Sequence, residues 1–130
     1  MDEKIKRLGD AEMEIMLVIW DANEPVTSSH VLEHLYNRRN WKLSTLMTTL
    51  ARLAEKGFVY CDRSTRTNYY SALISEKDYK VKESSSFLEK LFGNSLQSLV
   101  TSLYDSKTID DTDLSELRKM IDKLGGEENA

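Results

Sequence analysis

The run from Ser44 to Gly57, STLMTTLARLAEKG, carries two chemically different faces and constrains the fold more than any other stretch. At roughly 100° per residue, Leu46, Leu50 and Leu53 fall on one narrow stripe, while Thr45, Thr48, Thr49 and Arg52 gather nearly opposite them. The leucine stripe requires a core. The other stripe offers short hydroxyls and one guanidinium, with no carboxylate before Glu55, so a polyanion can approach it without repulsion. A helix lying in a DNA major groove needs this division of faces. Ser44 is placed to cap the free N–H groups of the first turn, and Gly57 stands where a left-handed C-terminal residue belongs, with Phe58 folding back on Leu53. An ordinary amphipathic helix with solvated threonines would show the same pattern, so the flanking chain has to decide.

Upstream, Leu8, Ala11, Ile15, Val18 and Ile19 recur at helical spacing up to Trp20, with Asp10 available as a cap. Asn23-Glu24-Pro25 breaks this helix. Thr27 then caps a second helix, which turns Val31, Leu32, Leu35 and Tyr36 inward and ends near Arg39. Asn40 to Leu43 connects it to the Ser44 helix, giving a helix-turn-helix unit. Downstream, the β-rich runs Phe58–Cys61 and Tyr69–Leu73 bracket the polar segment Asp62–Asn68, the signature of a hairpin. Its tip holds Arg63 and Arg66 among hydroxyls, a composition suited to phosphate or minor-groove contact. A hairpin directly after a recognition helix is the wing of a winged helix.

The formal charge of −4 on 130 residues speaks against a nucleic-acid partner only if it is evenly spread. It is not. Residues 1–73 carry ten cationic and ten anionic side chains and residues 74–130 carry eight and twelve, so the deficit lies wholly in the second part. Between Arg38 and Arg66, Arg38, Arg39, Lys42, Arg52, Lys56, Arg63 and Arg66 face only Glu55 and Asp62, a local +5. Such a patch on an acidic chain attracts phosphate locally and limits non-specific adhesion elsewhere.

The second part is helical. Ser75-Glu76-Lys77-Asp78 has the spacing of a capping box and opens a helix with Tyr79, Phe87, Leu88, Leu91 and Phe92 as its apolar residues. Gly93-Asn94-Ser95 interrupts, after which Leu96, Leu99, Val100, Leu103 and Tyr104 keep helical spacing. A last helix spans about residues 113–124, where Leu114, Leu117, Ile121 and Leu124 form a heptad-like seam, and residues 125–130 are expected to fray. Leu99, Leu103, Leu114, Leu117 and Ile121 have little chain of their own to cover them, so a second copy of the segment is the expected partner. A two-fold dimer would set two recognition helices on the half-sites of one palindrome.

Several other functions are disfavoured. With 40% hydrophobic and 31% charged residues the composition is globular, and no window approaches the ~18 apolar residues of a membrane span. The opening Met1-Asp2-Glu3-Lys4 is charged rather than apolar, which sets the expectation of a cytoplasmic protein. A single cysteine, Cys61, rules out an internal disulfide and a Cys-based metal cluster. His30-Val31-Leu32-Glu33-His34 matches the inverted zinc-protease motif, but it sits on a short helix of a three-helix module without a further ligand or cleft, and solvated or backbone-facing histidines are the simpler reading. Asp110-Asp111-Thr112-Asp113 lacks the turn glycine and closing glutamate of a calcium loop and reads as a helix cap. No cofactor, metal or enzymatic activity is expected.

With these pieces assembled, the chain resembles the penicillinase-repressor family of bacterial winged-helix repressors, the BlaI/MecI/CopY group. The resemblance covers nearly the whole chain. It rests on Leu8-Gly9-Asp10-Ala11-Glu12-Met13-Glu14-Ile15-Met16 with Ile19-Trp20, on Trp41 to Thr45, Leu50-Ala51-Arg52-Leu53 and Lys56-Gly57-Phe58, and on Tyr69-Tyr70-Ser71. It implies a dimeric repressor that binds an operator through the Ser44 helix and dimerises through the part after Leu73. Three departures matter. The tail lacks the Cys-x-Cys motif of the copper-responsive branch. Ser102-Leu103 stands where the β-lactam branch carries the Asn-Phe bond cut when repression is relieved, so a sensor protease specific for that pair lacks its usual bond there. Leu43 and Met47 replace residues common in relatives (proline at 43), so an operator sequence cannot be carried over.

The expected protein is therefore mainly α, with a winged-helix DNA-binding domain over residues 1–73 and a helical dimerisation domain over residues 74–130. Ser44, Thr45, Met47 and Thr48 are expected to meet base edges, and Lys42, Arg52, Arg63 and Arg66 to hold phosphates. The competing expectation is a winged-helix protein-interaction module without direct DNA function.

Overall fold

The computed structural model describes residues 5–35 and 40–129. In chain order it contains α1 (Asp10–Ala22), α2 (Ser28–Leu35), α3 (Leu43–Glu55), the strands β1 (Val59–Asp62) and β2 (Tyr69–Ala72), α4 (Glu76–Phe92), α5 (Leu96–Asp105) and α6 (Asp111–Asn129). Two compact units divide within α4, residues 1–84 and residues 85–130.

The first unit is built on one core. Ile15, Met16 and Ile19 of α1, Val31 and Leu35 of α2, and Leu46, Leu50 and Leu53 of α3 converge there, each at most 2% exposed. Burying each such side chain contributes roughly 1.5–3 kcal/mol, which is why three short helices of modest propensity hold together. Met16 belongs to the stripe although the sequence pattern assigned that face to Ala11 and Val18, which are half-buried. The helix ends follow local chemistry. Thr27 caps α2 by accepting the His30 N–H at 3.1 Å. Asp10, expected as the cap of α1, lies instead in its first turn, and the Glu12 carboxylate takes the N-cap role from inside the helix by accepting the Gly9 N–H at 2.8 Å.

The hairpin pairs antiparallel with Val59 opposite Ala72 and Asp62 opposite Tyr69. Val26 adds a single antiparallel bridge to β2, donating its N–H to the Tyr70 carbonyl at 2.9 Å and accepting the Tyr70 N–H at 2.7 Å. This bridge ties the α1–α2 connection to the wing. Because side chains alternate across a strand, Val59 and Tyr70 enter the core while Tyr60 and Tyr69 stay in solvent, 55% and 39% exposed.

The first unit runs on to Ser84, beyond the boundary expected at Leu73, and Tyr79 supplies the reason. Its ring is 2% exposed and packs edge-on to Phe58, with ring centres 5.7 Å apart, and beside Trp20 at 5.9 Å. Its hydroxyl accepts the N–H of Leu8 at 2.9 Å, and the Trp20 indole N–H reaches the Ile74 carbonyl at 2.8 Å. The start of α4, capped by Ser75 through the Asp78 N–H, is therefore part of the winged-helix core.

The second unit contains the end of α4, α5 and α6. Gly93 and Asn94 both take positive φ, +55° and +67°, and end α4 where the sequence placed the interruption. Ser95 then caps α5 by accepting the Ser98 N–H at 3.1 Å. Asp110 and Asp113 exchange reciprocal side-chain bonds with each other's N–H groups, at 2.9 and 3.0 Å, so the aspartate cluster is a helix cap. The last helix extends to Asn129, past the expected end at residue 124. Gly125 and Gly126 cost it about 1 kcal/mol each but do not by themselves break a helix already propagating.

Candidate nucleic-acid interface

The face of α3 opposite the core is shaped by where the helix starts. Lys42 is the N-cap, in extended conformation with φ −92° and ψ 148°, and its carbonyl accepts the Leu46 N–H at 3.0 Å. That bond closes the first turn one residue before Ser44. Ser44 therefore lies inside the turn and does not cap, contrary to the sequence expectation; no side chain caps this end. At the other end the expectation holds. Gly57 has φ +87°, and the Gly57 N–H bonds to the Ala54 carbonyl at 3.1 Å while the Phe58 N–H bonds to the Leu53 carbonyl at 2.9 Å. This pair of bonds is a Schellman motif, and it drives Phe58, fully buried, into the core.

Leu43, Ser44, Thr45, Met47, Thr48 and Arg52 are all exposed, as is Lys42 at the cap. Thr49 is not. It is 5% exposed and its hydroxyl donates to the Thr45 carbonyl at 2.8 Å, so it leaves the polar stripe where the sequence had put it. The core seam is wider than three leucines, and Thr49 sits at its margin. Thr48 also back-bonds, donating to the Ser44 carbonyl at 3.0 Å, but it stays in solvent.

The wing presents Arg63 and Arg66, both exposed, on a loop shaped by its own side chains. Asp62 accepts the Ser64 N–H at 2.9 Å, and Thr65 donates its hydroxyl to the Thr67 carbonyl at 2.7 Å. The bonds from the Ser64 hydroxyl and N–H hold the Asp62 carboxyl below its usual range, so it stays charged at the foot of the loop.

Lys56, counted in the basic patch, is otherwise engaged. Its ammonium sits 2.6 Å from Glu12 Oε1 and 3.0 Å from the Arg7 carbonyl, tying the C-terminus of α3 to the N-terminus of α1. Burial pushes the Glu12 carboxyl up, but the Gly9 N–H, the Lys56 ammonium and the nearby Arg52 charge together outweigh it and hold the group below its ordinary value. No pattern along the chain signals this pair, whose members lie 44 residues apart. Arg38 and Arg39 lie outside the described residues. Among the described residues of this basic stretch, the exposed cationic side chains are Lys42, Arg52, Arg63 and Arg66.

The two histidines of the protease-like motif are stacked, ring centres 4.1 Å apart, and His34 Nδ1 lies 2.8 Å from the His30 carbonyl oxygen, so that nitrogen carries the proton. No group of three or more His, Cys, Asp or Glu among the described residues is arranged to hold a metal ion. The pair is a local helix contact.

A family model described as "Penicillinase repressor" matches residues 8–123. The chain belongs to the penicillinase repressor family. Over 123 residues it is 28% identical to the methicillin resistance regulatory protein MecI of Mammaliicoccus sciuri, an alignment covering 95% of this chain and 99% of the relative. Over 121 residues it is 29% identical to the penicillinase repressor of Bacillus licheniformis, covering 93% of this chain and 94% of that one. Among solved structures it resembles the monomeric form of Bacillus licheniformis BlaI in complex with the blaP half-operator, with a TM-score of 0.50 and 33% identity over 58% of this chain and 90% of that one. Family and winged-helix fold together make the chain a DNA-binding repressor and not an enzyme. The competing expectation of a module without DNA function is set aside on the same grounds.

Proposed function

We propose that the protein represses transcription as a homodimer on a palindromic operator, with α3 in the major groove and the wing over the adjacent backbone. The observation that carries this reading is the exposed face of α3, free of carboxylates before Glu55, together with four exposed cations at Lys42, Arg52, Arg63 and Arg66. Ser44, Thr45, Met47 and Thr48 meet base edges, and the cations fix the register through phosphates. The BlaI relative solved in complex with a half-operator supports operator DNA as the partner.

The second unit is the proposed dimerisation element. Among its described residues none is buried, and Phe87, Leu91, Leu96, Met120, Ile121 and Leu124 are 46–64% exposed. Leu99, Leu103, Leu114 and Leu117 are half-buried, so the uncovered surface is larger than, and partly different from, the seam expected from the sequence. A second copy offers the same apolar surface and covers both at once. No described helix is long and apolar enough to cross a membrane, and we place the protein in the cytoplasm with its DNA. Release by a sensor protease at the position of the family's cleaved bond would require cutting Ser102-Leu103.

Sedimentation equilibrium of the full chain, alone and with a duplex from its own upstream region, tests the reading. Two chains per duplex and a dimer in free solution are expected. One chain per duplex, or no binding at low salt, would overturn it.

A further inference from the structure

Leu43 and Met47 are the large apolar side chains that α3 leaves in solvent, 55% and 38% exposed. They stand at i and i+4, side by side on one flank of the helix. The core does not need them, since Leu46, Leu50 and Leu53 fill it at 1% exposure or less. They also sit in the most electropositive part of the chain, next to Lys42 and on a helix with no carboxylate before Glu55, so the charge around them fits the DNA polyanion and disfavours a basic protein surface.

The groups that α3 exposes in its first two turns are Leu43, Ser44, Thr45, Met47 and Thr48. Major-groove reading of guanine uses arginine or lysine, adenine uses asparagine or glutamine, and cytosine is marked by a carboxylate. None of these side chains is present in those turns. The Thr48 hydroxyl spends its hydrogen on the Ser44 carbonyl and can only accept from a base. What the surface offers beyond hydroxyls is apolar, and the apolar feature of the major groove is the C5-methyl of thymine.

Resting on the reading that α3 enters the major groove, we infer that Leu43 and Met47 form a methyl-reading pair that selects thymine, and equally 5-methylcytosine, at one flank of each half-site. Specificity there comes from burying a methyl group, without a bidentate hydrogen bond.

The test uses duplexes enriched from a randomised pool by the full-length protein. Each thymine of the enriched half-site is replaced in turn by uracil, which removes only the methyl. At the thymine under the pair, affinity should fall about four-fold, the worth of one buried methyl-sized group. Leu43→Ala and Met47→Ala should weaken the thymine duplex and erase the difference between thymine and uracil at that position. Placing 5-methylcytosine there should bind better than cytosine. Equal affinity for thymine and uracil at every position would overturn the inference, as would a uracil penalty that persists in both alanine variants. If Thr48→Ala and Arg52→Ala also leave binding to the enriched duplex unchanged, α3 does not enter the groove and the underlying reading fails as well.

Discussion

In the proposed complex, Thr48 and Arg52, one turn apart on α3, meet DNA through different chemistry. A hydroxyl held against Ser44 contacts one base position, whereas an exposed guanidinium neutralises a phosphate whatever the sequence. Thr48→Ala is expected to relax preference at particular base pairs by roughly 1–3 kcal/mol, and Arg52→Ala to weaken all sequences alike and lower the salt slope by about one. Binding titrations over a panel of single-base variants at several salt concentrations separate the two, and reversed behaviour would exchange the assignments. Glu12 gives a second expectation. Its folded carboxyl lies below the ordinary value of 4.5, so the charged form stabilises the fold above that pH, and the contribution is lost as pH falls through the lowered folded value. In urea denaturation, Glu12→Gln should cost about 2 kcal/mol at pH 7, the scale of a charge-assisted hydrogen bond, and the gap to the natural chain should shrink below pH 4.5. A gap unchanged at acid pH would mean that shape, not charge, holds Lys56. Neither this pair nor the withdrawal of Thr49 was legible in the sequence. One depends on two helices meeting, the other on how far the core seam spreads around α3.

At the scale of elements, local chemistry read well. Gly57, Thr27, Ser75 and the Asp110–Asp113 cap act where the sequence put them, because a cap is decided by a few neighbouring residues. The start of α3 did not, since Ser44 and Leu43 can both begin a helix and the Lys42 carbonyl decides. Ser102-Leu103 acquires its meaning only within its element. The bond lies inside α5, and the Ser102 carbonyl accepts the Ser106 N–H at 3.2 Å. A protease would have to unwind that turn as well as accept a different pair. The intact mass of the protein should therefore be unchanged in cells carrying an activated sensor protease specific for Asn-Phe. Two fragments meeting at Ser102-Leu103 would refute this.

For the molecule as a whole, Tyr79 carries the first compact unit past the wing and into α4. A chain ended at Ser84 keeps the Tyr79 ring between Phe58 and Trp20, and keeps the partner of the Leu8 N–H. It should unfold cooperatively, sediment as a monomer and bind the operator about 10²–10⁴-fold more weakly, the usual loss when the second half-site is no longer tethered. A chain ended at Leu73 lacks the ring altogether and should lose a further 3–5 kcal/mol or so of stability, comparable to truncating a buried aromatic. Thermal unfolding of the two chains compares them directly. If the Ser84 chain dimerises, the winged-helix unit itself carries the interface.

The sequence by itself determined the order of elements, the two-faced helix, the wing and the basic stretch, because periodicity, turn residues and charge are properties of neighbours along the chain. It also pointed to the family through motifs spread over nearly its whole length. The tertiary structure alone decided what is buried and what is free. Glu12 engaged Lys56 of the basic stretch, Thr49 fell into the core, and Tyr79 crossed into the winged-helix unit. Leu43 and Met47 were left facing solvent. Each of these depends on segments distant in sequence packing against one another, and a side chain's exposure, hence its chemistry toward DNA, is fixed only when they do.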